Sequence, residues 1–142
     1  SSQTLDSLNL NFAGFLPTGW VLVSDTGYTL RLRPRVGGAL GITVKQGSVW
    51  FTGGSCNGTA YGFPNEVSPL DVIAEGNGTI RYVASGASLV SVVTIDSHRE
   101  ANGSCQTFTF GGNTVYPYTV NSPAVTGFNL SSSTNYWVTF AP

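Results

Sequence analysis

Apolar and polar residues alternate along much of the chain, which is the pattern of β-strands that turn one face to a core. No segment sustains the i, i+3, i+4, i+7 spacing of an amphipathic helix. The alternation predicts strands at residues 8–12, 20–24, 28–33, 40–45, 49–52, 79–84, 89–95, 107–110, 115–120 and 136–140. We therefore expect an all-β fold, an antiparallel β-sandwich of jelly-roll type with about eight to ten strands.

The clearest predicted element is a hairpin formed by residues 28–33 and 40–45. Its apolar face is formed by alternate residues, Tyr28, Leu30, Leu32, Leu40, Ile42 and Val44. The opposite face carries Arg31, Arg33 and Lys45, which are three of the six basic residues of the chain. We interpret this basic face either as a solvated or subunit-pairing surface, or as a site for an acidic group such as a glycan carboxylate.

Two segments do not follow the strand pattern. Residues 56–69 are interrupted by Gly and Pro, so we expect an ordered surface loop there. Tyr61 and Phe63 in this loop are interpreted as loop anchors or as ligand contacts. The polar residues 96–104 lie between two apolar strands and are predicted to form the tip of a long hairpin.

Composition narrows the choice of partners. Only 9% of the residues are charged and the formal net charge is −1, so there is no broad basic field to bind nucleic acid. The apolar stretches are too short to span a bilayer, and membrane insertion is not expected. The chain begins at Ser1 without a leader-type segment, and we interpret it as an excised fragment or a mature product.

Cys56 and Cys105 leave the redox state of the protein open. They fit the disulfide of a secreted protein, and they fit two buried thiols equally well, because a domain of this size does not need a disulfide to fold. Sequons occur at four asparagines, Asn57, Asn77, Asn102 and Asn129. A chain so rich in Asn, Ser and Thr produces such sequons by chance.

Catalytic chemistry has little support in the sequence, and we predict no enzyme, no metal and no cofactor. His98 is the only histidine and lies in a polar loop beside Arg99, a poor position for a base that must be held against a nucleophile. Asp96, His98 and Glu100 alternate without the ligand spacing of a zinc or calcium site. The seven carboxylates are a weak signal for a glycosidase pair, because their relative positions do not follow from the sequence.

Recognition is the remaining function class. Sugar-binding sites use aromatic rings, amides, hydroxyls and backbone groups on loops, all of which this chain has. The candidates to meet a carboxylate are the basic residues Arg31, Arg33, Lys45 and Arg81. The candidates to stack on a sugar or to hydrogen-bond with it are Trp50, Tyr61, Asn65 and Tyr82.

The order of these motifs resembles that of the head, or knob, domain of adenovirus fibre proteins. Residues 28–44 resemble the B–C hairpin of that family, with an alternating strand, a Gly-containing turn and Leu-Gly leading into the next strand. Residues 61–65, Tyr-Gly-Phe-Pro-Asn, are similar to its Gly-Phe-x-Pro-Asn loop with one residue missing. Residues 89–103, 107–110 and 136–140 are similar to its G-strand and following loop, its H-strand and its final strand.

This resemblance implies a homotrimer of antiparallel sandwiches on a slender shaft, with residues 1–12 as the end of the shaft or a linker and residues 13–142 as the head. It also implies attachment of a virion to a host cell-surface glycan or protein receptor, with a sialylated glycan as the expected ligand. The short stretch between Trp20 and Tyr28 leaves little room for the long A–B loop that some heads use to bind a protein receptor. Assembly in the nucleus of the infected cell would place the head on the virion surface with reduced thiols and bare sequons.

The hairpin also resembles the lectin domains of bacterial pilus tip adhesins, where the likeness centres on residues 30–49. This alternative implies a monomeric module on the bacterial cell surface. A capsid or sheath protein without a ligand is a third class.

Overall fold

The structure is a computed structural model. It describes residues 3–4, 10–16, 19–34, 41–130 and 136–137, and it describes side chains at residues 21–32, 44–92 and 94–130. The strands are β1 (Gln3–Thr4), β2 (Leu10–Leu16), β3 (Gly19–Ser24), β4 (Thr29–Pro34), β5 (Gly41–Val44), β6 (Val49–Phe51), β7 (Ala60–Gly62), β8 (Asp71–Ala74), β9 (Ile80–Tyr82), β10 (Val90–Arg99), β11 (Cys105–Pro117), β12 (Thr119–Val120) and β13 (Tyr136–Trp137). One short helix, α1 (Pro123–Thr126), follows β12. The all-β prediction is confirmed.

The larger of two sheets has nine strands. Its main path runs β1, β13, β5, β4, β8, β9, β12, while β3 pairs with β4 and β2 pairs with β3. The pairings of β4 with β8 and of β1 with β13 are parallel. The expectation of purely antiparallel strands is wrong at these two places. Parallel pairing needs a long crossover connection. For β4 and β8 this is the segment from β5 to β7, and for β1 and β13 it is the segment from β2 to β12. Alternation along a strand carries no information on its direction.

The smaller sheet is a closed ring of β10, β11, β7 and β6, with every pairing antiparallel. Its longest element is the β10–β11 hairpin, which confirms the hairpin predicted around residues 96–104. The strands extend further than expected, to Arg99 and from Cys105, so the tip is shortened to residues 100–104. Gly103, with φ of 91°, occupies the left-handed position that this turn requires.

Besides the two-residue strand β1, two strands were absent from the sequence prediction. Residues 56–69 are not a loop throughout, because β7 pairs with β6 on one side and with β11 on the other. The second, β8, lies between β4 and β9. Beyond Pro34, the predicted turn at 34–39 lies outside the described residues, as do residue 40 and the end of the strand predicted at 136–140. β2 runs across the proposed boundary between residues 12 and 13, and the division into shaft and head stays a prediction.

The first hydrophobic core covers one face of the larger sheet. It contains the apolar residues of the predicted hairpin whose side chains are described, together with residues of β3, β8, β9 and the segment after α1. They are Leu22, Tyr28, Leu30, Leu32, Val44, Val72, Ala74, Ile80, Tyr82, Phe128 and Leu130. Leu30 and Leu32 are 0% and 1% exposed. The predicted inward face of this hairpin is therefore confirmed for Tyr28, Leu30, Leu32 and Val44.

The second core joins the two sheets. Its members come from the ring, from the opposite face of the larger sheet and from the segments next to them: Val49, Phe51, Cys56, Ala60, Val67, Ile73, Val83 and Tyr118. Because Ile73 and Val83 come from the larger sheet and Val49 and Phe51 from the ring, the sheets pack against each other through this core.

Cys56 and Cys105 form a disulfide, with their Cα atoms 5.9 Å apart. The loop after β6 folds back over the ring, where Cys56 N donates to Ser97 Oγ at 2.8 Å and Thr107 Oγ1 donates to the oxygen of Gly54 at 2.8 Å. This folding brings the two cysteines within bridging distance. The expectation of reduced thiols, which the likeness to fibre heads implied, is therefore wrong in this structure.

Candidate functional site

A pocket lies on the face of the larger sheet that the first core leaves free. Leu32 is the register partner of Val44, and the nitrogen of Lys45 donates to the oxygen of Arg31 at 2.8 Å. Arg31 and Lys45 are therefore opposite each other on neighbouring strands, and their side chains share one face. Because side chains alternate along a strand, this face is the one turned away from Leu32 and Val44.

The floor and wall of the pocket come from β8 and from the loop before it. Asp71 is the register partner of Thr29 on β4, and Ile73 lies two residues further along the same face. The wall is the turn in which Glu66 N and Val67 N both donate to the oxygen of Phe63, at 3.0 and 3.1 Å. Val67, 5% exposed, anchors this wall in the second core.

The cavity has a volume of about 380 Å³ and is lined by Arg31, Lys45, Asn65, Glu66 and Asp71 among others. We call it the Arg31 pocket. Its volume falls at the small end of the range of about 300–1,000 Å³ typical of ligand sites. The sequence candidates Arg31, Lys45 and Asn65 are thus brought together by three separate segments.

The Arg31 pocket contains charges of both signs. Arg31 is exposed and Lys45 half-buried, and neither forms an ion pair with any residue that the structure describes. Asp71 Oδ2 accepts a hydrogen bond from Ser68 N at 2.9 Å, which holds this carboxylate to its own loop. The pocket therefore offers two neighbouring cations to an anion, and carboxylate and amide groups to hydroxyls.

The other sequence candidates lie elsewhere. Arg33 is on β4, and its side chain lies outside the described residues. Tyr82 is 6% exposed in the first core, edge-to-face with Tyr28 at 5.5 Å. Trp50 and Tyr61 are register partners on β6 and β7, so they share one face of the ring.

Arg81 is held by a buried carboxylate that the sequence did not single out. Glu75, 1% exposed, bonds Arg81 Nε at 2.6 Å and Arg99 Nε at 2.8 Å. Both guanidinium groups lie over the ring of Phe51, at 5.6 and 6.0 Å from its centroid. Arg81 therefore packs between the two sheets, and the carboxylate of Glu75 compensates its charge.

Trp50 lies at the centre of an aromatic cluster on the ring. It stacks on His98 at 4.1 Å and meets Phe63, Phe108 and Phe110 edge-to-face at 5.3, 5.4 and 5.6 Å. All five rings are half-buried. The alternation of Phe108 and Phe110 was the available sequence signal, and their convergence on Trp50 was not predicted.

Tyr118 is a second buried polar group that the sequence did not reveal. Burial raises the pKa of its hydroxyl, and the carboxylates of Glu66 and Asp71 raise it further. The buried Tyr118 hydroxyl oxygen has no hydrogen-bond partner among the described residues. The phenol ring lies against Gly62, where an added Cβ would come within 2.6 Å of the ring.

Within the described ranges, no group of three or more His, Cys, Asp and Glu side chains is placed to hold a metal ion. No helix in those ranges is long and apolar enough to cross a membrane. The sequon asparagines are exposed at Asn57, Asn77, Asn102 and Asn129. Comparisons with known protein families, with curated proteins and with solved structures find no match to this chain.

Proposed function

We propose that this chain is a non-catalytic attachment domain that binds a sialylated glycan of a host cell surface in the Arg31 pocket. One observation carries the proposal: Arg31 and Lys45 are adjacent, without an ion pair in the described part of the chain, in a cavity that also holds Asn65. A sialic acid presents one carboxylate together with hydroxyl and amide groups. Charge-assisted hydrogen bonds to the carboxylate are stronger than neutral ones, and arginine can make two of them at once.

The position of His98 supports binding without catalysis. Its ring stacks on Trp50, and its Nδ1 lies 3.3 Å from Glu100 Oε1. A base for nucleophilic catalysis would instead contact a serine, threonine or cysteine side chain.

Two carriers are proposed for this function. The first is a fibre head on a virion, a homotrimer of sandwich-like subunits, supported by the order of the sequence motifs and by the packing of two sheets through the second core. The second is the lectin domain of a pilus tip adhesin on a bacterial surface. The Cys56–Cys105 disulfide favours this second carrier, because disulfides form in oxidising compartments such as the periplasm, whereas fibre heads assemble inside the infected cell.

The glycan proposal is tested by titrating the protein with sialyllactose. Combining Arg31→Ala with Lys45→Ala should weaken binding by at least about tenfold, since two charge-assisted contacts are lost. Lys45→Arg keeps the charge and serves as the control, with binding retained. Unchanged affinity in a folded double variant would remove the proposal.

The carrier is tested by mass in solution. A stable trimer near three times 14.9 kDa supports the fibre head, and a monomer supports the adhesin. A trimer that binds no glycan on an array would instead favour a structural capsid or sheath protein.

A further inference from the structure

A second pocket, of about 340 Å³, adjoins the Arg31 pocket. The two cavities share Gln46, Gly47 and Ser48, which form the connection between β5 and β6. The far side of the second cavity is formed by the end of β10 and the hairpin tip, with His98 and Glu100. We call it the Glu100 pocket.

The segment between the two pockets is held firmly in place. Gly47 N donates to the oxygen of Ala74 at 2.9 Å, and Gln46 Nε2 donates to the oxygen of Ala101 at 3.1 Å. Gly47 also lies against Ile73, where an added Cβ would come within 3.0 Å of the isoleucine Cβ. The segment therefore lies close to β8 and is tied to the hairpin tip, and the two pockets keep a fixed relative position.

The Glu100 pocket differs from the Arg31 pocket in its chemistry. Arg99 lines it, but the guanidinium is occupied by Glu75 at 2.8 Å and by the oxygen of Gly103 at 3.0 Å. The side chain of Glu100 is 40% exposed, and Ser48, which is half-buried, brings a hydroxyl to the same lining. The Glu100 pocket therefore offers a carboxylate and a hydroxyl group but no free cation. Such groups can hydrogen-bond with the hydroxyls of a neutral sugar, whereas the carboxylate would repel an acidic sugar.

We infer that the ligand is an oligosaccharide with a terminal acidic sugar and a neutral sugar next to it. The acidic sugar occupies the Arg31 pocket, and the neutral sugar crosses Gly47 into the Glu100 pocket. This inference rests on the proposed function, because carboxylate binding by Arg31 and Lys45 determines which end of the oligosaccharide lies in the Arg31 pocket. A single sugar ring would fill only one of the two cavities.

The experiment compares N-acetylneuraminic acid with sialyllactose by calorimetric titration. The trisaccharide should bind at least about tenfold more tightly, since it alone reaches the second pocket. Combining Ser48→Ala with Glu100→Ala should remove this advantage and leave the affinity for the monosaccharide within about twofold. Ser88→Ala, at an exposed serine outside both pockets, is the control and should change neither affinity.

The two levels of the proposal fail in different ways. Suppose that Arg31→Ala weakens the binding of both ligands. If the variant with Ser48→Ala and Glu100→Ala then weakens the binding of neither ligand, or of both equally, the two-pocket inference is wrong and the glycan proposal stands. If Arg31→Ala weakens neither, both are wrong. Should the double variant fail to fold, Ser48→Ala alone removes one pocket hydroxyl and must by itself reduce the advantage of the trisaccharide.

Discussion

Tyr118 shows how a single hydroxyl can oppose folding. Its oxygen is buried without a hydrogen-bond partner among the described residues, and burying an unpaired polar group costs free energy. We predict that Tyr118→Phe raises the free energy of unfolding by about 1 kcal/mol in urea denaturation. The matched control is Tyr28→Phe: Tyr28 accepts a hydrogen bond from Ser85 N at 3.0 Å, and its loss should lower the same quantity. Changes of the same sign in both variants would contradict this account.

The raised pKa of Tyr118 predicts a dependence of stability on pH. Burial is the main cause, followed by the charges of Glu66 and Asp71. Above about pH 10 the unfolded tyrosine releases its proton while the folded one keeps it, so stability is lost as pH rises in that range. Urea denaturation between pH 8 and 11 should show a steeper loss for the wild type than for Tyr118→Phe. Parallel curves would rule out Tyr118 as the source.

Gly62 is required by the ring that lies on it. An added methyl group would overlap the phenol of Tyr118, so Gly62→Ala should lower the free energy of unfolding by about 1–3 kcal/mol. Gly86→Ala is the control, since nothing lies within 4 Å of its added Cβ. Chemical denaturation of the two variants checks the difference, and equal stabilities would show that the Tyr118 ring moves aside without cost.

At the scale of elements, the Glu75 cluster links β9 of the larger sheet to β10 of the ring. Removing the negative charge leaves two largely buried guanidinium groups without compensation, so Glu75→Gln should lower the free energy of unfolding by about 3–5 kcal/mol. Glu66→Gln, at an exposed carboxylate outside the cluster, should change it by less than about 0.5 kcal/mol. A small effect at Glu75 would mean that the arginines find other acceptors.

The elements that the sequence predicted are those with one buried face. In β4 the alternation puts Leu30 and Leu32 in the core and Arg31 outside, so a period of two is visible. In β8 no such period is visible, because Val72 and Ala74 face the first core while Ile73 faces the second, and all three are apolar or small. A strand covered on both faces loses its alternation, as β8 does.

Only the part of the candidate site that lies on two neighbouring strands of one hairpin could be predicted from the sequence. Arg31 and Lys45 follow from the hairpin register alone. Asn65 reaches them through a loop whose path depends on Val67 packing in the second core, and the pairing of Arg81 with Glu75 depends on how the sheets meet. Such long-range contacts leave no regular spacing in the sequence.

At the scale of the whole molecule, the disulfide ties the loop after β6 to the start of β11. For a sequence separation of 49 residues, chain entropy gives a stabilisation on the order of 4 kcal/mol. Replacing Cys56 and Cys105 together by Ala should lower the free energy of unfolding by about this amount. Reduction should destabilise the wild type and leave the variant unchanged. Mass measurement after thiol labelling provides a second check, and labelled cysteines in the unreduced protein would contradict the bond.

The anchoring of Val67 in the second core couples the proposed glycan binding to folding. The wall that carries Asn65 depends on Val67 packing in the second core, so the proposed ligand would bind the folded chain and not the unfolded one. A ligand at one hundred times its dissociation constant then adds about 2.7 kcal/mol to the stability. On the glycan proposal, substitutions between the sheets should therefore weaken binding without contacting the glycan, and a shift in melting temperature should identify the ligand among unlabelled sugars.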